Sequence, residues 1–104
     1  MATIFTISGQ HIEVSPALDS YIRKKLSKVE RMFDNVTHIN VTITVQKYMQ
    51  NAEAEVRLAG DQNTIFAKAT SDDMYKSIDE LEHKILAQVK KYHDKLIDRK
   101  EDRT

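Results

Sequence analysis

Basic side chains recur at helical spacing in two separate parts of this chain. Lys24, Lys28 and Arg31 follow one another at steps of four and three residues, which places them within ~60° of one another on a helix. A second row, near the end of the chain, is formed by Lys84, Lys91 and Lys95. These three residues fall within ~40° of one another on a helix, with Gln88 beside them. Such a row can be an ordinary solvated face, or it can neutralise successive phosphates of a nucleic acid. The candidate RNA-binding residues are Lys24, Lys25, Lys28, Arg31, Lys84, Lys90, Lys91 and Lys95.

Residues that could carry catalysis or bind a metal show no suitable arrangement. The four histidines lack metal-ligand spacing, and His83 and His93 are ten residues apart on one predicted helix. Asp72 and Asp73 precede a helical pattern and are explained as the residues that begin it. The chain has neither a serine in a nucleophile elbow nor a glycine-rich phosphate loop. The sequence therefore predicts no enzyme, no metal, no cofactor and no small-molecule substrate.

The charge balance allows a nucleic-acid partner without demanding one. Sixteen Lys and Arg residues balance sixteen Asp and Glu residues, but residues 16–33 carry five basic and two acidic side chains. Residues 34–73 carry three basic and six acidic ones, so the middle of the chain is acidic. The chain has no cysteine, no signal-peptide pattern and no apolar run of membrane-spanning length. These features are compatible with a cytoplasmic protein and predict that it does not enter a membrane.

Hydrophobic periodicity predicts six elements in the order β-α-β-β-β-α. Ser15 followed by Pro16 is a strong helix start, and a period of two from Ile39 to Val45 is the clearest strand. Turns are expected at Gln50 and Asn51 and at residues 60–63. The predicted elements are 3–8, 16–33, 38–46, 52–58, 65–69 and 72–95.

This order predicts an α+β fold with a four-stranded mixed sheet and both helices packed on one face. The first connection is a crossover, so the first two strands should be parallel, and the remaining strands form a meander. The other sheet face should be polar and partly acidic, with Phe66 as its one large aromatic residue. We expect a single domain over residues 1–97. Residues 98–104 should form a charged flexible tail.

Both predicted helices resemble those of the short ribosome hibernation promoting factors and of the related ribosome-associated inhibitor, protein Y. The resemblance covers nearly the whole chain, and its β-α-β-β-β-α order is that of the family. The first helix matches at Ser15, Pro16, Ala17, Leu18, Lys25, Leu26, Lys28, Val29 and Glu30. The second matches at Asp73, Met74, Tyr75, Ile78, Asp79, Leu81, Lys84, Gln88, Lys91 and Lys95.

The resemblance implies a non-enzymatic protein that binds the small ribosomal subunit in stationary phase. Members of this family occupy the channel of messenger RNA and of A- and P-site transfer RNA, where they block translation. Short forms act with ribosome modulation factor to promote inactive ribosome dimers, whereas protein Y holds single ribosomes inactive. The length of the chain after the last helix favours the short, dimer-promoting form.

The family's contacts with ribosomal RNA are made largely by basic residues of the two helices. By the resemblance, Lys25, Lys28 and Arg31 on the first helix, and Lys84, Lys91 and Lys95 on the second, should neutralise phosphates. Lys24 and Lys90 are basic but match less clearly. This chain departs from the family at two positions: Ala87 stands where relatives often carry arginine, and His93 where one often carries lysine.

Two other classes of function remain open from the residues. An adaptor would bind a protein through the polar sheet face and would depend on Phe66. A general double-stranded RNA binder can have the same two-helix architecture and would recognise free duplexes by shape.

Overall fold

A computed structural model describes residues 3–33, 35–59 and 64–101 of the chain, with side chains up to Tyr92. The backbone follows the predicted β-α-β-β-β-α order, and this prediction is confirmed. The elements are β1 Ile4–Gln10, α1 Pro16–Met32, β2 Val36–Gln46, β3 Met49–Leu58, β4 Thr64–Ser71 and α2 Met74–Glu101.

The four strands form one mixed sheet in the order β1-β2-β3-β4. β1 pairs with β2 in parallel, and the other neighbouring strands are antiparallel, as the crossover and the meander predict. Ile39 of β2 lies between Phe5 of β1 and Val56 of β3, and Val56 is paired in turn with Ile65 of β4. Because side chains alternate between faces along each strand, this register collects the apolar residues on one face.

Both amphipathic helices contribute their apolar sides to the core against this face. Ile22 and Leu26 of α1 are fully buried, as are Ile78, Leu81 and Ile85 of α2. α2 contacts β3 and β4, and α1 contacts α2. Small buried residues on β3 and β4 allow α2 to approach the sheet closely: Ala52, Ala54, Ala67 and Ala69. The predicted α+β fold is therefore confirmed.

Each helix begins at a side chain that accepts a hydrogen bond from the first turn. The Ser15 hydroxyl accepts from the backbone N–H of Leu18 at 3.1 Å, and Pro16 occupies the first helical position. The Asp73 carboxylate accepts from the backbone N–H of Tyr75 at 3.0 Å. Of the two predicted capping aspartates, Asp73 therefore makes the capping contact to the first turn of α2.

The turn expected at Gln50 and Asn51 was wrong. Both residues belong to β3, where they pair with β2 on one side and with β4 on the other. The turn is made instead by Lys47 and Tyr48, and Lys47 has a φ of 55°. Strand pairing on both sides outweighs the turn preference of an Asn residue, because a β3 residue bonds to two neighbours at once.

Several other boundaries also differ from the prediction. β1 continues through Gly9 and Gln10, which the sequence pattern assigned to the following connection. A Cβ on Gly9 would lie 2.4 Å from the backbone oxygen of Ile12, so this close approach requires glycine. β2 begins at Val36 rather than His38, with a register irregularity between Val36 and His38. The hairpin loop predicted at residues 60–63 lies outside the described residues.

The backbone of α2 is helical through Glu101, beyond the predicted domain boundary at residue 97. The charged segment expected to be a flexible tail, 98–104, therefore includes helical residues 98–101, and 102–104 lie outside the described residues. Its flexibility stays a prediction.

Candidate nucleic-acid interface

The exposed side of α1 carries three cations that are available to an external anion. Lys24, Lys28 and Arg31 are exposed, and within the described part of the chain their charged groups form no ion pair or hydrogen bond. Arg23, on the same helix, is different: its Nε lies 2.9 Å from the Asp19 carboxylate. The predicted row on α1 is thus brought together as the helical spacing requires, and no described acidic side chain compensates its charges.

Lys25 is held between the two helices. It is half-buried, and its Nζ lies 3.4 Å from Oδ1 of Asp79 and 5.5 Å from the centre of the Tyr21 ring. The carboxylate and the aromatic face both stabilise the ammonium group. Part of the Lys25 charge is therefore already balanced inside the protein, so a phosphate would have to share it with Asp79.

Asp79 also joins the helices through a tyrosine. The Tyr21 hydroxyl donates to Oδ1 of Asp79 at 2.6 Å, and the Tyr21 ring meets Tyr75 edge-on at 4.9 Å between centroids. The hydrogen bond to Asp79, together with burial, raises the pKa of Tyr21 to about 12. The same bond, with the nearby Lys25, lowers the pKa of Asp79. At neutral pH the pair is therefore a neutral phenol bonded to a carboxylate.

On α2, Lys84 makes a contact within the fold. Its Nζ donates to the backbone oxygen of Lys68 at 2.8 Å, and Nε2 of Gln88 donates to the backbone oxygen of Phe66 at 2.9 Å. β4 is the last strand of the sheet, so its outward carbonyls have no strand partner. Lys84 and Gln88 supply donors to that edge, a role that spacing on the helix does not reveal.

The remaining candidates on α2 occupy the outer part of the helix. Lys90 and Lys91 are exposed and make no ion pair among the residues the structure describes. The side chain of Lys95 lies outside the described residues, as does that of His93. Ala87 is exposed, so this position of α2 is open to solvent. An exposed alanine there offers no cation to a phosphate.

The two lysine rows do not merge into one surface. Asp79 and Lys84 are five residues apart, which separates them by ~140° around α2. Asp79 contacts α1, whereas Lys84 contacts β4, so the row of Lys84 and Lys91 lies on the flank away from α1. Lys90 lies within ~20° of Asp79 and so shares the flank that faces α1. Lys90 is thus the α2 cation best placed to extend the row on α1.

The open sheet face is less acidic in effect than its composition indicates. Glu55 lies 3.1 Å from Nε of Arg57, and Glu53 lies 3.8 Å from Nζ of Lys68. Phe66 is 53% exposed there, as the sequence predicted, beside a shallow hollow that Asn40, Thr42, Glu53 and Glu55 also line. The face is therefore polar and nearly charge-balanced, with one exposed aromatic ring.

The described ranges contain neither a metal-ligand cluster nor a membrane-spanning helix. No three His, Cys, Asp or Glu side chains there come together as metal ligands. Neither helix, over its described residues, has an apolar stretch of bilayer-spanning length.

Sequence reasoning missed one feature, at the tip of the β2–β3 hairpin. Lys47 and Tyr48 form the tip, and Tyr48 is 89% exposed. The signal was present as an aromatic residue next to a lysine, but placing the turn at Gln50 and Asn51 assigned neither residue a position.

Comparison with known proteins identifies what the chain is similar to. Residues 5–97 match the family model described as Sigma 54 modulation protein / S30EA ribosomal protein. A ribosome hibernation promoting factor of Pseudomonas putida is 40% identical over 89 residues, covering 86% of this chain and 85% of that one.

Two solved structures share the fold. A ribosomal subunit interface protein from Coxiella burnetii is similar with a TM-score of 0.81 and 36% identity, over 88% of this chain and 99% of that chain. The N-terminal domain of Protein Y from Thermus thermophilus is similar with a TM-score of 0.78 and 25% identity, over 88% of this chain and 99% of that chain.

Proposed function

Because this chain belongs to the family of Sigma 54 modulation protein / S30EA ribosomal proteins, we propose that it is a cytoplasmic translation inhibitor that binds the small ribosomal subunit. It occupies the channel of messenger RNA and transfer RNA in stationary phase, and with ribosome modulation factor it promotes inactive ribosome dimers. The name of the Pseudomonas putida relative, ribosome hibernation promoting factor, supports this proposal. So does the description of the Coxiella burnetii protein as a ribosomal subunit interface protein.

The single observation that carries the proposed chemistry is the group of uncompensated cations on the helices. Lys24, Lys28 and Arg31 on α1 and Lys90 and Lys91 on α2 are exposed and lack an acidic partner within the described residues. Cations of this kind bind phosphates of ribosomal RNA without reading bases. Binding then blocks translation by occupancy, with no covalent chemistry and no cofactor.

The other candidate residues have secondary roles in this proposal. Lys25 contributes a charge that Asp79 already holds in place, which orients the ammonium group beside the row on α1. Lys84 supports the edge of β4 and offers its remaining N–H donors to solvent or to a phosphate. Lys95 continues the row of Lys84 and Lys91 by helical spacing.

Sedimentation through a sucrose gradient tests the proposal. Purified ribosomes are mixed with the protein at low and moderate salt, with and without ribosome modulation factor. We expect the protein to sediment with the small subunit, and a ribosome-dimer peak to form when the second factor is present. Absence of binding at every salt concentration would reject the proposal and bring forward the adaptor, which Phe66→Ala should impair.

A second candidate is an inhibitor of the protein Y type, which holds single ribosomes inactive. The fold shared with the Thermus thermophilus Protein Y domain favours it. The same gradient separates the two: binding without a dimer peak, even with ribosome modulation factor, indicates the protein Y type. A general duplex-RNA binder would instead bind free double-stranded RNA as tightly as it binds ribosomes.

A further inference from the structure

The tip of the β2–β3 hairpin presents an aromatic ring and a cation to solvent. Tyr48 is 89% exposed and Met49 is 54% exposed. Beside them lies a cleft of about 570 Å³, lined by His11, Val45, Gln46, Lys47, Tyr48 and Met49. That volume falls within the ~300–1,000 Å³ typical of pockets for small organic groups.

The residue types at this tip are not explained by folding. Two-residue hairpin turns favour Gly, Asn or Asp where φ is positive, yet Lys47 has a φ of 55° there. His11, just after β1, has a φ of 61° and lines the same cleft. No other non-glycine residue in the described ranges has a positive φ. Strained residues gathered around one exposed cleft favour a binding role over a structural one.

The position of the tip separates it from the cations on the helices. β2 ends at Gln46, next to the end of β1 at Gln10. α1 begins shortly after β1, at Pro16, and so starts at the same end of the sheet as the tip. Lys28 and Arg31 lie near the other end of α1, a helix of 17 residues and therefore ~25 Å long. A ligand at the tip would thus be a second contact, well away from the first.

We propose that this tip binds an unpaired nucleobase of ribosomal RNA, with Tyr48 stacked on the base and Lys47 at a neighbouring phosphate. Aromatic side chains next to cations are the usual platform for single-stranded nucleic acid. The described lining of the cleft contains Lys47 and no acidic residue, which complements a phosphate. The inference rests on the proposed function and adds a base contact to a surface otherwise limited to phosphates.

Binding of purified small subunits is measured for the wild type, Tyr48→Ala and Tyr48→Trp, with Phe66→Ala as the matched exposed aromatic. We expect Tyr48→Ala to weaken binding roughly 5- to 100-fold, because a stacked base is lost. Tyr48→Trp and Phe66→Ala should retain wild-type affinity. The slope of log affinity against log salt should stay unchanged in Tyr48→Ala, since no phosphate contact is removed.

Lys47→Gly provides a test that a folding defect cannot imitate. Glycine suits a positive φ, so thermal stability should hold or rise, while affinity falls and the salt slope drops by about one. A wild type that binds with Tyr48→Ala unaffected overturns the base contact alone. A wild type that fails to bind overturns the proposed function, and the base contact with it.

A photoreactive p-benzoylphenylalanine at position 48 identifies the partner. A crosslink to ribosomal RNA supports the proposal, whereas a crosslink confined to a ribosomal protein overturns the nucleobase assignment.

Discussion

Asp79 holds a central position at the residue scale, because three side chains meet at its carboxylate or around it. It accepts from Tyr21 at 2.6 Å and lies 3.4 Å from Lys25, while Tyr75 packs against the Tyr21 ring. The carboxylate belongs to α2 and both of its partners to α1. This cluster therefore fixes how the two helices meet and where the Lys25 charge is held.

Tyr21→Phe should change the alkaline stability of the protein. The neutral phenol is favoured in the folded state, where its pKa is about 12 rather than 10.0. Its contribution is fully present below pH 10.0 and is lost as the pH rises towards about 12. Thermal melts of wild type and Tyr21→Phe should therefore differ by ~1 kcal/mol at neutral pH and converge above pH 12. A constant difference over this range would contradict the assignment.

Asp79→Asn should change acid stability in the opposite sense. The folded pKa of Asp79 lies below its ordinary value of 3.8, so its ionised form stabilises the fold above that pH. This contribution disappears as the pH falls through the lowered folded pKa. Wild type should thus lose more stability than Asp79→Asn on acidification below about pH 4, by less than ~1 kcal/mol because the carboxylate is partly exposed. Equal acid losses in melting temperature would argue against the pair.

At the scale of elements, the edge of β4 depends on α2. Lys84 and Gln88, one helical turn apart, donate to backbone oxygens of Lys68 and Phe66. An edge strand with unpaired carbonyls is open to pairing with another chain, and side chains from a helix cover it. The packing of α2 on β3 and β4 therefore protects the sheet as well as filling the core.

Lys84→Met tests the edge contact while keeping the length of the side chain. We expect a loss of ~0.5–1.5 kcal/mol of unfolding free energy, equivalent to several degrees in melting temperature. Lys91→Met is the matched control, because Lys91 lies on the same flank and has no partner in the described residues. Its effect should stay within ~0.5 kcal/mol. Equal melting temperatures for the two variants would show that the Lys84 contact adds nothing.

For the whole molecule, the balance of sixteen basic and sixteen acidic residues conceals an uneven distribution. Acidic side chains on the open sheet face are paired with Arg57 and Lys68, and Asp79 is paired between the helices. Lys24, Lys28 and Arg31 on the outer side of α1 have no acidic partner within the described residues. A neutral protein can therefore present one basic surface, whose attraction to RNA weakens as salt rises.

Replacing Lys24, Lys28 and Arg31 together by Gln should weaken binding to small subunits and lower the salt slope by about three. The fold should be retained, because these side chains are exposed and their charged groups form no ion pair or hydrogen bond with described residues. Arg57→Gln, which removes a cation from the opposite face, should bind as the wild type does. Identical salt slopes for the triple variant and the wild type would remove α1 from the RNA interface.

Local periodicity determined much of the fold. A period of two along β2 and the three- and four-residue steps of Ile22, Leu26, Ile78 and Leu81 predict element type and buried face, since each depends on neighbours in the chain. The helix starts at Ser15 and Asp73 are equally local. The order of the elements and the mixed sheet follow from these, and the structure confirms them.

Tertiary structure alone decided which polar groups meet. Helical spacing placed Lys84 in a row of free lysines, but its partner on β4 becomes visible once that strand is known to be an edge. The bond from Tyr21 to Asp79 spans 58 residues, and pairing of β3 with strands on both sides moved the turn to Lys47 and Tyr48. Such contacts depend on how remote elements lie against one another, which no local pattern encodes.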